Sequence, residues 1–232
     1  MEAIILAGGF GTRLSTVVND VPKPMAPIAN KPFLSYLLDY LSGYQLNSVV
    51  LCTGYKHEKV EEYYSFTYKN TSIRYSVEET PLGTGGAIKQ ALQKVKSDSA
   101  IILNGDTLFN INLSEFIKFH HRLKSDISVA LKELSDFDRY GSVILDGERI
   151  IGFEEKKYKS LGYINGGVYI LNKNVFEKYE LPQTFSFEKQ ILETRTRELS
   201  LNGYKSNEYF IDIGIPEDYK KAQEEIKELF NE

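Results

Sequence analysis

Short stretches of this chain carry residue types suited to handling phosphate. "GGFGTR", Gly8 to Arg13, follows the apolar run "AIILA", so glycines and a threonine separate a buried strand from an arginine. Glycines there let backbone N–H groups approach phosphate oxygens, and Arg13 adds a fixed positive charge. That combination suits a triphosphate. Lys23 stands between two prolines in "VPKPMAPIANKP". Proline fixes its own φ and steers the residue before it away from the helical region, so Lys23 is expected on a stiff extended segment. Asp106 follows "AIILNG" and Asp212 lies in "YFIDIG". Two carboxylates arriving from the ends of separate strands suit Mg²⁺, which prefers oxygen ligands and bridges substrate phosphates.

Two familiar phosphate loops do not fit. A dinucleotide G-x-G-x-x-G starting at Gly9 needs glycine where Leu14 stands, and a G-x-x-x-x-G-K-[ST] loop starting at Gly8 meets Arg13 and Leu14. Neither a dehydrogenase nor a P-loop ATPase is supported. No Ser-His-Asp or Cys-His pattern stands out. His57, His120 and His121 have no metal-ligand spacing, and His120 falls on the apolar face of its helix, so a structural role is expected for them.

"LAGGFGTRL" followed by "PKPMAPIANKPF" resembles the sugar-1-phosphate nucleotidyltransferases, the NDP-sugar pyrophosphorylases. Further matches run along the chain: "PLGTGGAI" at the nucleobase loop, "LNGDTLF" at the first metal segment, "FEEKK" at the sugar-phosphate motif, then "INGGVYIL" and "FIDIGIPEDY". The one departure is Lys157, where the family usually has proline. The resemblance implies attack of a sugar-1-phosphate oxygen on the α-phosphorus of an NTP, with release of pyrophosphate. A phosphomonoester is already largely dianionic near neutral pH, since its second pKa is about 6, so the nucleophile needs no general base. It needs positive charge and in-line positioning, because two polyanions must meet.

By this resemblance Leu6, Gly8, Gly9, Gly11, Thr12, Arg13, Gly83 and Thr84 hold the nucleotide, with Arg13 facing the leaving pyrophosphate and Lys23 the α-phosphate. Lys156 faces the sugar phosphate. Glu155 accepts from sugar hydroxyls, and Gly141 and Asn165 line the same pocket. Asp106 and Asp212 hold Mg²⁺. "PLGTGGAI" is similar to the guanylyltransferase side of the family, and the whole chain to its short members that act on heptose 1-phosphates of manno configuration. That implies GTP, a GDP-heptose product and a place in surface polysaccharide synthesis. Guanine offers adjacent N1–H and N2–H₂ donors that one carboxylate can accept together. "VEETPLG" supplies Glu78 and Glu79. On a strand they point to opposite faces, so one of them does this, Glu78 by family position. Mannose 1-phosphate with GTP, a hexose or muramate phosphate with UTP or dTTP, and a non-catalytic NDP-sugar sensor stay open. A sensor would be expected to lose Arg13, Lys23 or a metal aspartate, and all are present.

The elements that must position these residues read as short apolar runs separated by helical patterns. Strands are expected at 3–7, 48–52, 73–77, 100–104, 127–131, 166–171 and 209–213; several are continuous apolar runs, as strands buried on both faces are. Helices are expected over "FLSYLLDYLSGY", "GGAIKQALQKVK", "LSEFIKFHHRL" and "PEDYKKAQEEIKELF". The expected fold is α/β: a Rossmann-like, mainly parallel sheet with helices on both faces and a small antiparallel sugar-side subregion. Hairpin signals such as "LDGER" mark that subregion. No C-terminal β-helix is expected. One domain over 1–232 is expected, with residues 1–130 mainly for the nucleotide, 131–215 for the sugar phosphate, and a final helix at 216–232.

Composition narrows the class. The 232 residues are 42% hydrophobic with a net charge of −4, which argues against a nucleic-acid binder. The one cysteine, Cys52, lies in "SVVLC" and reads as a small buried hydrophobe, and no disulfide framework can form within the chain. "AIILA" is too short for a signal peptide and no apolar run reaches the ~18 residues of a membrane span, so a cytoplasmic location is expected. A homo-oligomer stays open.

Overall fold

The computed structural model describes residues 1–9 and 20–230. Its first half alternates strand and helix. β1 (Glu2–Leu6) is followed by the small ribbon β2 (Pro27–Ile28) and β3 (Lys31–Pro32), then α1 (Phe33–Gly43), β4 (Ser48–Thr53), α2 (His57–Tyr64), β5 (Thr67–Tyr68), β6 (Thr71–Val77), α3 (Gly83–Leu92) and β7 (Ser99–Asn104). β7, β1, β4 and β6 lie side by side and parallel. Each crossover between them carries a helix, which is what returns the chain to the same edge in the same direction.

These strands are buried on both faces, which explains their continuous apolar runs. Ala3 and Ile5 of β1 pack with residues of α1 and α2, whereas Ile4 faces the other way and packs with Ala87, Ile88 and Ala91 of α3. The neighbouring strands repeat the alternation, so helices cover both faces as expected. Cys52 lies fully buried on the α3 side, where its thiol donates to the Ala87 carbonyl and burial pushes its pKa up.

The second half continues with β8 (Thr107–Phe109), α4 (Leu113–Arg122), β9 (Ile127–Phe137), β10 (Ser142–Asp146), β11 (Arg149–Glu154), β12 (Lys159–Asn172), β13 (Leu201–Ser206), β14 (Phe210–Asp212) and α5 (Pro216–Phe230). Among the described residues ten strands form one sheet in the order β10-β11-β13-β9-β12-β7-β1-β4-β6-β5. The expectation of a mainly parallel sheet is corrected here: the sheet is mixed. β12 runs antiparallel to both β7 and β9, and β10 pairs antiparallel with β11 and β12. The cause is connection length. Short turns join β9 through β12, and a short turn can only reverse a strand. Gly147, with φ +62°, makes the tight β10–β11 turn that "LDGER" signalled.

Two further corrections concern "YFIDI" and Lys23. β14 does not join the main sheet but pairs with β8 in a separate two-stranded ribbon, placing Asp212 opposite Thr107. Lys23 does not sit on an extended segment. It opens a 3-10 turn, Lys23–Met25, closed by the Met25 amide on the Pro22 carbonyl at 2.7 Å and the Ala26 amide on the Lys23 carbonyl at 3.0 Å. The extended residue is Pro22, at φ −64° and ψ 151°. Pro24 has no amide to contribute, and the second position of such a turn needs none.

Candidate active site

The carboxyl ends of β1, β4, β6 and β7 open onto a cavity of about 580 Å³. Open α/β sheets place ligands beyond these strand ends. Leu6, Gly8 and Gly9 line it after β1, Gly54 and Tyr55 after β4, Glu78 and Glu79 after β6, and Asn104, Gly105 and Asp106 after β7. Gly83 and Thr84 at the start of α3 close one wall, and Lys23 and Pro24 close another. The residues singled out in the sequence thus divide. Leu6, Gly8, Gly9, Lys23, Glu78, Gly83, Thr84 and Asp106 share this cavity. Gly141, Glu155, Lys156 and Asn165 are not among its described lining residues, and Gly11, Thr12 and Arg13 lie outside the described residues.

Lys23 and the two aspartates meet at one edge of the cavity. The Lys23 ammonium is 2.5 Å from Asp106 Oδ2 and 3.9 Å from Asp212 Oδ1. The lysine side chain is only 10% exposed, the carboxylates 33% and 26%. Asp106 is oriented by the Thr107 hydroxyl, which donates to its Oδ1 at 3.1 Å, and Asp212 Oδ1 accepts the Gly214 amide at 2.8 Å. The Ile213 amide reaches the Asp106 carbonyl, tying the two segments together. Gly105 makes the approach possible: a Cβ there would lie 2.3 Å from the Leu6 carbonyl oxygen. Among the described residues no third histidine, cysteine or carboxylate joins the pair into a larger metal-ligand group. Two carboxylates converging on one cation, beside a cavity wide enough for a polyphosphate, form a donor set that fits Mg²⁺ completed by substrate oxygens.

The Glu78 carboxylate is held in place. Glu78 Oε2 accepts the Leu82 amide at 3.0 Å, and its Oε1 lies so close to Gly8 that a Cβ there would meet it at 2.6 Å. Burial raises the Glu78 pKa, and the Leu82 bond partly offsets this. Thr84 lines the cavity, but its hydroxyl is already engaged. It donates to Glu188 Oε2 at 2.6 Å and accepts the Phe187 amide at 2.9 Å.

Of the residues expected at the sugar, Gly141 directly precedes β10 and Asn165 lies on β12. Glu155 and Lys156 follow β11 and are exposed. Lys157, the departure from the family pattern, donates to Glu154 Oε1 at 2.8 Å, and Ser142 donates to its Oε2 at 2.8 Å. Lys157, Lys159 and Ser142 hold the Glu154 carboxyl down at about 2. Asn165 donates to the Tyr169 hydroxyl at 2.9 Å and accepts the Gly167 amide at 3.0 Å.

Sequence reasoning passed over several lining residues. His57, expected to be structural, faces the cavity while its Nδ1 pairs with Glu61 at 2.9 Å. His120 is structural: it is buried between Ser128 at 2.9 Å and Asn172 at 3.2 Å. Asn104 lines the cavity with a buried Oδ1 that has no hydrogen-bond partner. Its place at a strand's end, immediately before Gly105-Asp106, was the available signal.

The chain belongs to the nucleotidyl transferase family, whose model matches residues 2–228. It is 52% identical over 227 residues to D-glycero-alpha-D-manno-heptose 1-phosphate guanylyltransferase of Aneurinibacillus thermoaerophilus, covering 98% of this chain and 99% of that one. It is 47% identical to the protein of the same name from Campylobacter jejuni, covering 94% and 97%. The crystal structure of HddC from Yersinia pseudotuberculosis superposes with a TM-score of 0.88 at 38% identity, over 97% of this chain and 99% of that one; HddC complexed with GMP-PN gives 0.87. Among the described residues no helix is long and apolar enough to cross a membrane.

Proposed function

We propose that this chain is a sugar-1-phosphate guanylyltransferase that joins GTP and D-glycero-α-D-manno-heptose 1-phosphate into GDP-heptose and pyrophosphate. The observation that carries this reading is identity near one half, over nearly the full length, to two enzymes of that name. The cavity supports it. Its size and its place at the strand ends suit a nucleotide, and Glu78 is a half-buried carboxylate on its wall.

In the reaction a phosphate oxygen of the sugar 1-phosphate bonds to the α-phosphorus of GTP. The bond from that phosphorus to the bridging oxygen breaks, and pyrophosphate leaves with the electron pair. Lys23 neutralises charge building on the α-phosphate. Glu78 accepts the guanine N1–H and N2–H₂. Leu6, Gly8, Gly9, Gly11, Thr12, Arg13, Gly83 and Thr84 cradle the nucleotide. Gly141, Glu155, Lys156 and Asn165 serve the sugar phosphate from the 131–215 part, and residues 1–130 serve the nucleotide. Among the described lining residues Lys23 is the one lysine or arginine beside three carboxylates, Glu78, Glu79 and Asp106, so beyond Lys23 and Arg13 a triphosphate would draw on further positive charge. Mg²⁺ held by Asp106 and Asp212 would supply it and polarise the phosphates.

The test is pyrophosphate release by the purified protein with GTP and a panel of sugar 1-phosphates, with the product identified by mass. GDP-heptose is expected. Turnover with mannose 1-phosphate but not with the heptose would overturn the sugar assignment, and turnover only with UTP or dTTP would overturn the base.

A further inference from the structure

The turn that carries Gly83 and Thr84 is held from outside its own helix. Residues 184–188, from the second half of the chain, lie against it. The Phe185 amide donates to the Leu82 carbonyl at 3.0 Å, and the Gly85 amide donates to the Phe185 carbonyl at 2.9 Å. Gly85 meets the Phe185 ring so closely that a Cβ would lie 2.1 Å from it. At the end of this segment Glu188 opens a π-helical turn, Glu188–Glu193. Glu188 Oε2 accepts the Thr84 hydroxyl at 2.6 Å and the Ser186 hydroxyl at 2.8 Å. The Thr84 oxygen then accepts the Phe187 amide at 2.9 Å. One carboxylate oxygen therefore fixes the rotamer of a cavity-lining residue and, through it, the backbone of the segment facing it.

We propose that Glu188 is a positioning residue for guanylyl transfer: by fixing Thr84 it fixes the wall, Pro81 to Gly86, against which the nucleotide packs. This rests on the nucleotide reading of the cavity given above. Glu188 touches neither substrate in this role. Its charge also reaches the buried Tyr169, whose phenol is pushed up first by burial and then by Glu188. Tyr169 in turn accepts a hydrogen bond from Asn165, a residue assigned to the sugar.

The test uses the full chain and four variants: Glu188→Leu, Glu188→Gln, Thr84→Val and the Glu188→Leu/Thr84→Val double. Affinity for the fluorescent analogue mant-GTP, KM for GTP, kcat and thermal midpoint are measured for each. Glu188→Leu is expected to weaken mant-GTP binding and raise KM for GTP on the order of tenfold, with kcat little changed. Glu188→Gln keeps an oxygen acceptor and is expected to recover most of the loss. Thr84→Val should also weaken binding, and the double variant should lose less than the sum of the two single losses, because both remove the Thr84–Glu188 bond. A folded Glu188→Leu with wild-type mant-GTP affinity overturns the proposal, as does Glu188→Gln as impaired as Glu188→Leu. Should Glu188→Leu not fold, wild-type affinity in Thr84→Val overturns it equally. A wild type that neither binds mant-GTP nor releases pyrophosphate overturns the functional reading beneath it.

Discussion

The ammonium of Lys23 lies 2.5 Å from a carboxylate oxygen of Asp106, a residue 83 positions further along the chain. Asp212, from a third segment, approaches the same ammonium at 3.9 Å. A cation proposed for a phosphate and two carboxylates proposed for a metal are thus already assembled against one another. The lysine offsets one of the two negative charges at the rim of the cavity and leaves the other for a further cation.

Replacing Lys23 with alanine is expected to lower kcat far more than it weakens GTP binding. One lost transition-state contact of this kind costs about 2.7–4 kcal/mol, or roughly 10²–10³ in rate. Steady-state kinetics with GTP and heptose 1-phosphate check this, and near wild-type turnover would remove Lys23 from the mechanism.

Asp106→Asn and Asp212→Asn should each abolish Mg²⁺-dependent turnover while the chain stays folded. Neither carboxylate is deeply buried, so the amide is tolerated. If both serve one metal, the double variant should lose little more than either single one. Full activity in either variant, or wild-type turnover undiminished by excess chelator, contradicts a shared site. Circular dichroism controls for folding.

GTP is expected to be preferred over UTP, dTTP and CTP. A pocket carboxylate left facing a uracil carbonyl loses its partner, and such mismatches discriminate by up to roughly 10⁴-fold. Glu78→Gln should relax the preference, since an amide both donates and accepts. The raised Glu78 pKa adds a pH signature. The carboxyl must be ionised to accept N1–H, so kcat/KM for GTP should fall on the acid side through that raised pKa, and this limb should vanish in Glu78→Gln. Equal wild-type efficiency with GTP and UTP would refute the base assignment.

Glu2 gives a stability prediction. Burial pushes its carboxyl up, but the amides of Ser97 and Lys96, the Arg74 guanidinium and the Ser48 hydroxyl outweigh this and hold it at about 2, against an ordinary 4.5. Its folded pKa is depressed, so its contribution is complete above about pH 4.5 and is lost as pH falls toward 2. The shift corresponds to roughly 3 kcal/mol. Urea unfolding at pH 7 should show Glu2→Gln destabilised on the order of 1–3 kcal/mol, and the difference from wild type should shrink at pH 3. A difference that stays constant with pH would show that ionisation is not the cause.

Part of the cavity wall was legible in the residues because its parts are local. The glycines after β1 and the Gly-Asp after β7 each mark a strand end that opens onto the cavity. The helices were legible from apolar spacing, and α1, α3, α4 and α5 form where that spacing places them. The amino-acid order by itself determined which strands are buried on both faces, since a side chain's water affinity is its own property.

Only the tertiary structure decided direction and partnership. An apolar period of two is the same whether a neighbour runs parallel or antiparallel, so the mixed sheet could not be read from the runs of Val and Ile. A proline constrains its own φ, yet the turn at Lys23 is set by amides closing on Pro22 and Lys23 carbonyls. The Thr84 hydroxyl, expected at the nucleotide, is taken by Glu188, a residue 104 positions away. Such a pair leaves no periodic trace. It exists because chain segments from the two halves meet beside one cavity, where a part-buried hydroxyl gains a carboxylate acceptor.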